Sequence, residues 1–164
     1  MIEYDYVSKK RDEVQAFPKR GLGIIRAILR TATRVQVAVF RASKGRFMNK
    51  FIGGFPVCVV TTKGAKSGAI RRIALIHLPH GENKLMVASQ GGMDKMPAWY
   101  YNVSANPGIE IMVDGTEQSY AARRVSDEEK AALWPHLCSL YPEFDEYQAR
   151  TDRNIPVFSC KPEA

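Results

Sequence analysis

Apolar residues in the first part of the chain recur with the spacing of an α-helix. Within residues 21–40, arginines lie four residues apart and most apolar side chains fall opposite them. The arginines are Arg26, Arg30 and Arg34, and the apolar side chains are Leu22, Ile25, Ile28, Leu29, Ala32 and Val39. This pattern predicts an amphipathic helix with one basic face.

Downstream of residue 54 the pattern changes to short β-rich runs separated by glycine turns. These runs predict strands at residues 57–62, 70–78, 85–89, 109–113, 116–125 and 155–160, with a tight hairpin turn at Asp114-Gly115. A short helix is expected at residues 98–105. Another helix should begin after Ser126, which forms a capping box with Glu129, and Pro135 should kink or restart it.

The order of these elements predicts an α+β domain built around a mostly antiparallel sheet or small barrel. A chain of 164 residues has room for one domain of ordinary size. We place this domain at residues 55–164. Residues 1–54 are interpreted as a basic helical arm attached to it.

Charge is distributed very unevenly along the chain. Residues 14–81 hold thirteen basic and no acidic side chains, whereas residues 82–164 hold eight basic and thirteen acidic ones. A positive surface of that extent attracts nucleic acid, anionic lipid or a polyanionic small molecule. No recognised nucleic-acid module is present, and the aromatic residues lie mostly outside the basic region, which disfavours nucleic acid.

The sequence also predicts a cytoplasmic protein without disulfides. The first residues are polar, and Cys58, Cys138 and Cys160 are odd in number and far apart. The basic helix has the form of a helix that lies on a membrane surface, so a peripheral position on the inner face of the cell membrane stays open. No metal site is expected, because His77 and His80 would point to opposite faces of a strand.

The turn after the first predicted strand carries residues that bind phosphate groups. It reads Thr61-Thr-Lys-Gly-Ala-Lys-Ser-Gly68 and is followed by Arg71 and Arg72. Glycines let backbone N–H groups approach an anion, while Lys66 and Arg71 neutralise it and the Ser67 hydroxyl adds a donor. The spacing is not that of a P-loop. A solvated basic hairpin is the alternative interpretation.

A glycine pair follows the third predicted strand in the segment Ala88-Ser-Gln-Gly-Gly92. Glycines at this place permit a flat ring to approach the backbone closely, and Trp99 with a neighbouring tyrosine would form a wall for that ring. The alternative is that these aromatic residues are ordinary core residues.

Three aromatic residues, Tyr141, Phe144 and Tyr147, are spaced by three and would share one helical face. Such a stripe is typical of a core. As a functional alternative, either tyrosine would offer a phenol as a proton donor.

Several motifs taken together, in this order, resemble those of the deazaflavin-dependent nitroreductase family. The resemblance covers approximately residues 56–162 and is carried by Thr61-Thr-Lys-Gly-Ala-Lys-Ser-Gly-x-x-Arg71, Ala88-Ser-Gln-Gly-Gly92, Pro97-Ala-Trp-Tyr100, Asn102, Ala105-Asn-Pro107, Leu133-Trp-Pro135, Tyr141-Pro142 and Thr151-Asp-Arg-x-Ile-Pro156. Proteins of that family are actinobacterial split β-barrels, related in fold to oxidoreductases that bind flavin mononucleotide. Their cofactor is coenzyme F420, an 8-hydroxy-5-deazaflavin with a phosphate and an oligoglutamate tail.

The resemblance implies a set of site residues. The cradle for the anionic tail would be Lys63, Lys66, Ser67, Gly68 and Arg71. The ring would lie against Ser89, Gln90, Gly91, Gly92, Pro97, Ala98 and Trp99. The substrate pocket would comprise Ile76, Trp99, Tyr141, Phe144 and Tyr147. A proton, or a hydrogen bond to the acceptor oxygen, would come from Ser89, Tyr141 or Tyr147, with solvent as another source of the proton.

The implied reaction is hydride transfer from reduced coenzyme F420 to a quinone, an activated alkene or a nitroaromatic compound. Ala65, Gln90 and Phe144 stand where relatives have arginine, lysine and tyrosine, and loss of that last phenol favours quinones or activated alkenes over nitroimidazoles. Flavin mononucleotide is the second choice of cofactor. The alternatives are a non-catalytic split-barrel protein that binds or carries a deazaflavin, flavin or haem, and a peripheral membrane protein.

Overall fold

One antiparallel sheet forms the centre of the domain. The computed structural model describes residues 4–15 and 22–163, with side chains for residues 4–15 and 31–163. Within these ranges the strands are β1 (Val57–Lys63), β2 (Ile70–Ile76), β3 (Leu78–His80), β4 (Asn83–Val87), β5 (Gly108–Val113), β6 (Thr116–Arg124) and β7 (Val157–Pro162). The α-helices there are α1 (Leu22–Ala42), α2 (Ala98–Ala105), α3 (Asp127–Leu140) and α4 (Glu143–Arg150).

A single residue joins the two edge strands of the sheet. Its strand order is β2-β1-β5-β6-β7-β4-β3, so β2 and β3 are opposite edges. Only His77 separates the end of β2 from the start of β3, and two successive peptide units span at most about 7 Å. The sheet must therefore curl until its two edges nearly meet. The predicted split β-barrel is confirmed.

The structure differs from the predicted elements where the chain turns between sheet edges. The run at residues 70–78 was expected to be one strand, but it breaks at His77, whose N–H donates to the carbonyl of Pro56 at 2.9 Å. Pro135 neither ends nor restarts its helix, since α3 continues through it to Leu140. The capping box is present, because the Ser126 hydroxyl accepts from the Glu129 N–H and the Glu129 carboxylate accepts from the Ser126 N–H.

Strand β1 is buried on both faces, as its continuous apolar run requires. Cys58 and Val60 belong to the apolar cluster that contains the barrel's inner aromatic side chains. Val57 and Val59 belong to another cluster with Phe40 of α1. Side chains from both sides of the predicted boundary at residue 54 thus share one cluster, and the boundary itself stays a prediction.

The helix predicted from the arginine spacing is confirmed as α1. Arg34 is exposed on it, whereas the side chains of Arg26 and Arg30 lie outside the described residues. Of the helices that the structure describes, none is long and apolar enough to cross a membrane.

The N-terminal segment packs on the outer side of α3 and α4 around a buried lysine. Lys130 is 2% exposed, and its ammonium group lies 4.7 Å from the ring centroid of Trp134 and 5.0 Å from that of Tyr6. It donates to the side-chain oxygens of Gln148 and Asn154. Burial lowers the pKa of Lys130 to about 7, because the charged form loses its hydration.

We predict that Lys130 makes stability rise with pH. Its pKa is near the usual 10.5 in the unfolded chain and about 7 in the folded one, so between these values the unfolded state binds more protons. The free energy of unfolding should then gain up to about 1.4 kcal/mol per pH unit from this group. Urea unfolding of wild type and Lys130→Met from pH 6 to 9 measures the gain as the difference between the two curves.

The control is Lys161→Met, at an exposed lysine of β7. Its free energy of unfolding should change with pH in the same way as that of wild type. If the difference between wild type and Lys130→Met is constant from pH 7 to 9, the folded protein keeps Lys130 charged, and the prediction is wrong.

Candidate active site

A cleft opens beside the junction of β2 and β3. Its volume is about 230 Å³, and its lining comes from α1, β2, the segment after β4, the start of α2 and α4. Several residues predicted from the sequence line this cleft, namely Ile76, Ser89, Gln90, Gly91, Pro97, Trp99, Tyr141, Phe144 and Tyr147. The structure therefore brings together all the predicted substrate residues and most of the predicted ring-binding residues, which are up to 71 positions apart in the sequence.

Sequence reasoning missed the part of the lining that comes from the N-terminal region. Thr33 and Gln36 of α1 and Phe51 form one side of the cleft. Further apolar lining residues come from the sheet, namely Val57, Ala74, Leu75, Leu78 and Val87. The apolar pattern of the strands identifies these last residues as buried, but no local signal links α1 to the cleft.

The segment after β4 has an unusual backbone. Gln90, Gly91 and Gly92 have φ values of 47°, 67° and 79°, all in the left-handed region. At Gly92 a Cβ atom would lie 2.6 Å from the carbonyl oxygen of Tyr147, so glycine is required for this segment to approach α4. Gly92 therefore lets this segment pack directly against α4.

Gln90 carries a polar atom that lacks a partner. Its Oε1 is buried and accepts no hydrogen bond within the described residues. A buried carbonyl oxygen without a donor costs about 1–3 kcal/mol. An oxygen of this kind beside a cleft fits a ligand that carries an N–H group, as the pyrimidine half of a flavin or deazaflavin ring does.

Two phenols, those of Tyr141 and Tyr147, also line the cleft. The hydroxyls of Tyr141 and Tyr147 lie 3.1 Å apart, and Phe144 packs on Tyr141 with ring centroids 4.9 Å apart. Burial and the hydrogen bond to Tyr147 raise the pKa of Tyr141. Tyr141 therefore keeps its proton at neutral pH and can donate a hydrogen bond to an oxygen bound in the cleft.

The basic hairpin between β1 and β2 lies at the far end of α2 from the cleft. Pro97 and Trp99, at the start of α2, line the cleft. At the end of this helix, Asn102 accepts from the Ala65 N–H at 3.0 Å and Asn106 donates to the carbonyl of Lys63 at 3.3 Å. Helix α2 has eight residues and rises about 12 Å, so the cleft lies at its first turn and the hairpin contacts its second half.

The remaining predicted residues do not line the cleft. Lys63, Lys66, Ser67, Gly68 and Arg71 are exposed on or beside the hairpin, Gly92 is buried against α4, and Ala98 is exposed on α2. Lys63 lines a second, more open pocket with Thr61, Thr62 and Ile70. The residues predicted for the anionic tail thus lie at a polar hairpin, and most of those predicted for the ring and the substrate line a mainly apolar cleft. Helix α2 connects the two.

The chain matches the model of the F420H(2)-dependent quinone reductase family over residues 32–162. It belongs to this family. The resemblance seen in the motifs is confirmed, and coenzyme F420 is confirmed as the cofactor at the level of the family. An F420-dependent reductase is accordingly the class of enzyme to which the chain belongs.

Individual family members and solved structures agree with this assignment. The F420H(2)-dependent quinone reductase Rv1261c of Mycobacterium tuberculosis is 35% identical over 127 residues, which cover 76% of this chain and 85% of that protein. A solved structure of an F420-H2 dependent reductase (FDR-A) is 39% identical and covers 65% of this chain and 94% of its own, with a TM-score of 0.61. Another, described as a domain-swapped dimer, is 34% identical with a TM-score of 0.63 and covers 78% and 96%.

Proposed function

We propose that this family member transfers a hydride from reduced coenzyme F420 to a quinone. The observation that carries the proposal is the cleft itself, which is lined by Gln90 with its unpaired oxygen, by the glycine-rich backbone and by two hydrogen-bonded phenols. A flat donor and a flat acceptor need this kind of space if they are to stack. The family's description as quinone reductases supports the choice of acceptor.

The residues after β4 fit the ring of the coenzyme. We assign the Gln90 Oε1 atom as the acceptor for a ring N–H, Gly91 as the place where the ring meets the backbone, and Ser89 as a neighbouring donor. Gly92 and Ala98 support this segment and the start of α2, and Pro97 and Trp99 complete the wall. Reduced coenzyme F420 supplies a hydride, and the protein holds donor and acceptor in contact.

The basic hairpin fits the anionic tail of the coenzyme. The side chains of Lys63, Lys66 and Arg71 are exposed beside the Ser67 hydroxyl, and Gly68 has a φ of 65° in this turn. Phosphate and carboxylate groups bind well to such a set of donors and cations. The distance along α2 between hairpin and cleft suits a ligand whose tail is separate from its ring.

The tyrosine side of the cleft fits the acceptor. Ile76 and Phe144 supply apolar contacts to a quinone ring, while Tyr141 and Tyr147 are placed to hold one of its oxygens and to deliver the proton that follows the hydride. Ser89 and solvent are the other proton sources within reach of the cleft. An activated alkene or a nitroaromatic compound presents a similar polarised acceptor, so these remain secondary substrates.

A surface segment beside the cleft supports a second role, in binding an anionic membrane. Phe47 and Ile52 are 67% and 87% exposed, and the cations in the same segment are Lys44, Arg46 and Lys50. Exposed apolar side chains flanked by cations are typical of segments that enter the interface of anionic lipids. Phe51 of this segment lines the cleft, which would let an apolar quinone pass from lipid to the site.

We predict that Lys66→Ala and Arg71→Ala each weaken the binding of coenzyme F420 by about three- to tenfold, because each removes a cation from the tail site. Titrations at low and moderate salt measure the effect, which should shrink as salt rises. Lys9→Ala, at an exposed lysine of the N-terminal segment, should bind like wild type. Tail-less deazaflavin should bind all four proteins equally.

Binding of flavin mononucleotide as tight as that of the coenzyme would contradict the cofactor assignment. Tight coenzyme binding without oxidation of the reduced form by any of several quinones would instead favour the carrier function over the enzyme.

We predict that Tyr147→Phe lowers kcat for quinone reduction by about tenfold or more, because the acceptor oxygen loses a proton donor. The KM for reduced coenzyme F420 should stay unchanged, since this phenol lies on the acceptor side. Steady-state kinetics with a soluble quinone provide the measurement. The control is Tyr120→Phe, at a buried tyrosine outside the cleft lining, and an unchanged kcat in Tyr147→Phe would leave solvent as the proton source.

We predict that the protein sediments with vesicles containing phosphatidylglycerol and not with pure phosphatidylcholine. Replacing Phe47 and Ile52 together by serine should weaken vesicle binding at least about tenfold, since two large apolar side chains leave the interface. Ile70→Ser, at a side chain 57% exposed on the basic hairpin, is the matched control. Retention of the double variant at the wild-type level would exclude this segment as the contact.

A further inference from the structure

Two arginines hold the backbone that follows β4. The Arg153 guanidinium donates to the carbonyl oxygens of Met93 at 2.7 Å, Ala88 at 3.0 Å and Ser89 at 2.6 Å. Arg150 donates to the carbonyl oxygen of Gly91 at 2.7 Å. Carbonyls at four positions of this short segment therefore accept from guanidinium groups on its outer side.

These contacts determine where the N–H groups of the segment point. In a trans peptide the N–H and the C=O lie on opposite sides. Because the carbonyls of Ala88 and Ser89 turn toward Arg153, the N–H groups of Ser89 and Gln90 turn away from it. Ser89, Gln90 and Gly91 line the cleft and Arg153 does not, so the arginine contacts the segment from behind the cleft wall.

The backbone in this segment needs such support. Gln90 has a φ of 47°, which places a residue with a Cβ atom in the left-handed region. Conformations of this kind cost free energy and persist only where the surroundings hold them. Arg153 lies just beyond α4 and contacts both ends of the segment, so it is placed to impose that conformation.

We propose that Arg153 is the positioning residue for the coenzyme side of the cleft, with Arg150 as its partner at Gly91. Its guanidinium fixes the Ala88–Met93 backbone in the conformation that places Ser89, Gln90 and Gly91 along the cleft. Lysine cannot replace it, because a single ammonium group lacks the planar fork that reaches separate carbonyls at once. The part of this proposal that concerns the coenzyme rests on the proposed function.

Arg153→Lys tests the proposal first without any ligand. Amide hydrogen exchange in the segment from Ser89 to Met93 should become about tenfold faster or more, because the backbone loses the hydrogen bonds that hold it. Exchange in β5 and β6 should stay as in wild type. Arg123→Lys is the matched control, since Arg123 makes two hydrogen bonds to Glu129 at 2.8 Å outside the cleft, and it should leave exchange in the segment unchanged.

The second measurement is binding of coenzyme F420. Arg153→Lys should raise its Kd about tenfold or more, while the KM for the quinone changes less than twofold, because the acceptor side is left intact. Arg150→Lys, which disturbs only the contact at Gly91 within the segment, should give a smaller change in both exchange and Kd and serves as the second variant if Arg153→Lys does not fold.

Unchanged exchange and unchanged Kd in Arg153→Lys would overturn the proposal. So would faster exchange through the whole sheet, which would make Arg153 a general stabiliser of the barrel. If wild type binds no coenzyme, the proposed function fails, and the exchange experiment alone then decides whether Arg153 holds the segment.

Discussion

The closure of the sheet at His77 is the constraint on which the cleft depends. Because one residue joins β2 to β3, the two edges of a seven-stranded sheet are forced together, and the residues on either side of His77 come to line the same cleft. Ile76 and Leu78 are those residues. The carbonyl of Pro56 accepts the His77 N–H, so the turn is fixed to the start of β1. The cleft is thus formed where the two sheet edges meet, and helical residues complete its lining.

The mainly apolar cleft and the basic hairpin lie along different parts of α2. At the start of the helix, Trp99 belongs to a mainly apolar cleft, and at its end Asn102 and Asn106 fix the basic hairpin. The acid-free stretch of the sequence contains this hairpin, and the acidic side chains beside it, Glu110 and Glu163, come from β5 and from the end of the chain. Under the proposed function, long-range attraction acts on the tail of the coenzyme, while short-range packing selects the ring and the acceptor.

Local sequence patterns identified much of this molecule, because they report local physics. Apolar runs located the strands, the Ser126 capping box located α3, and the glycines after β4 marked a backbone that needs positive φ. The break at His77 is hard to predict locally, because a single polar residue between Ile76 and Leu78 does not by itself end a strand. Packing of Gln36 against the cleft and the contacts of Arg153 with carbonyls some sixty residues away also depend on the tertiary fold. Periodicity carries no information about such contacts.

The two sides of the cleft differ in how much they depend on residue identity. Where the segment after β4 lines the cleft, a glycine pair and arginines that do not line it hold the backbone in place. Replacing one side chain there, as with Gln90, changes a single contact. On the acceptor side, side chains such as Phe144 and Tyr147 form the surface directly. Substitutions on that side alter shape and proton donors together, so a barrel of this kind can keep one cofactor while its range of acceptors changes.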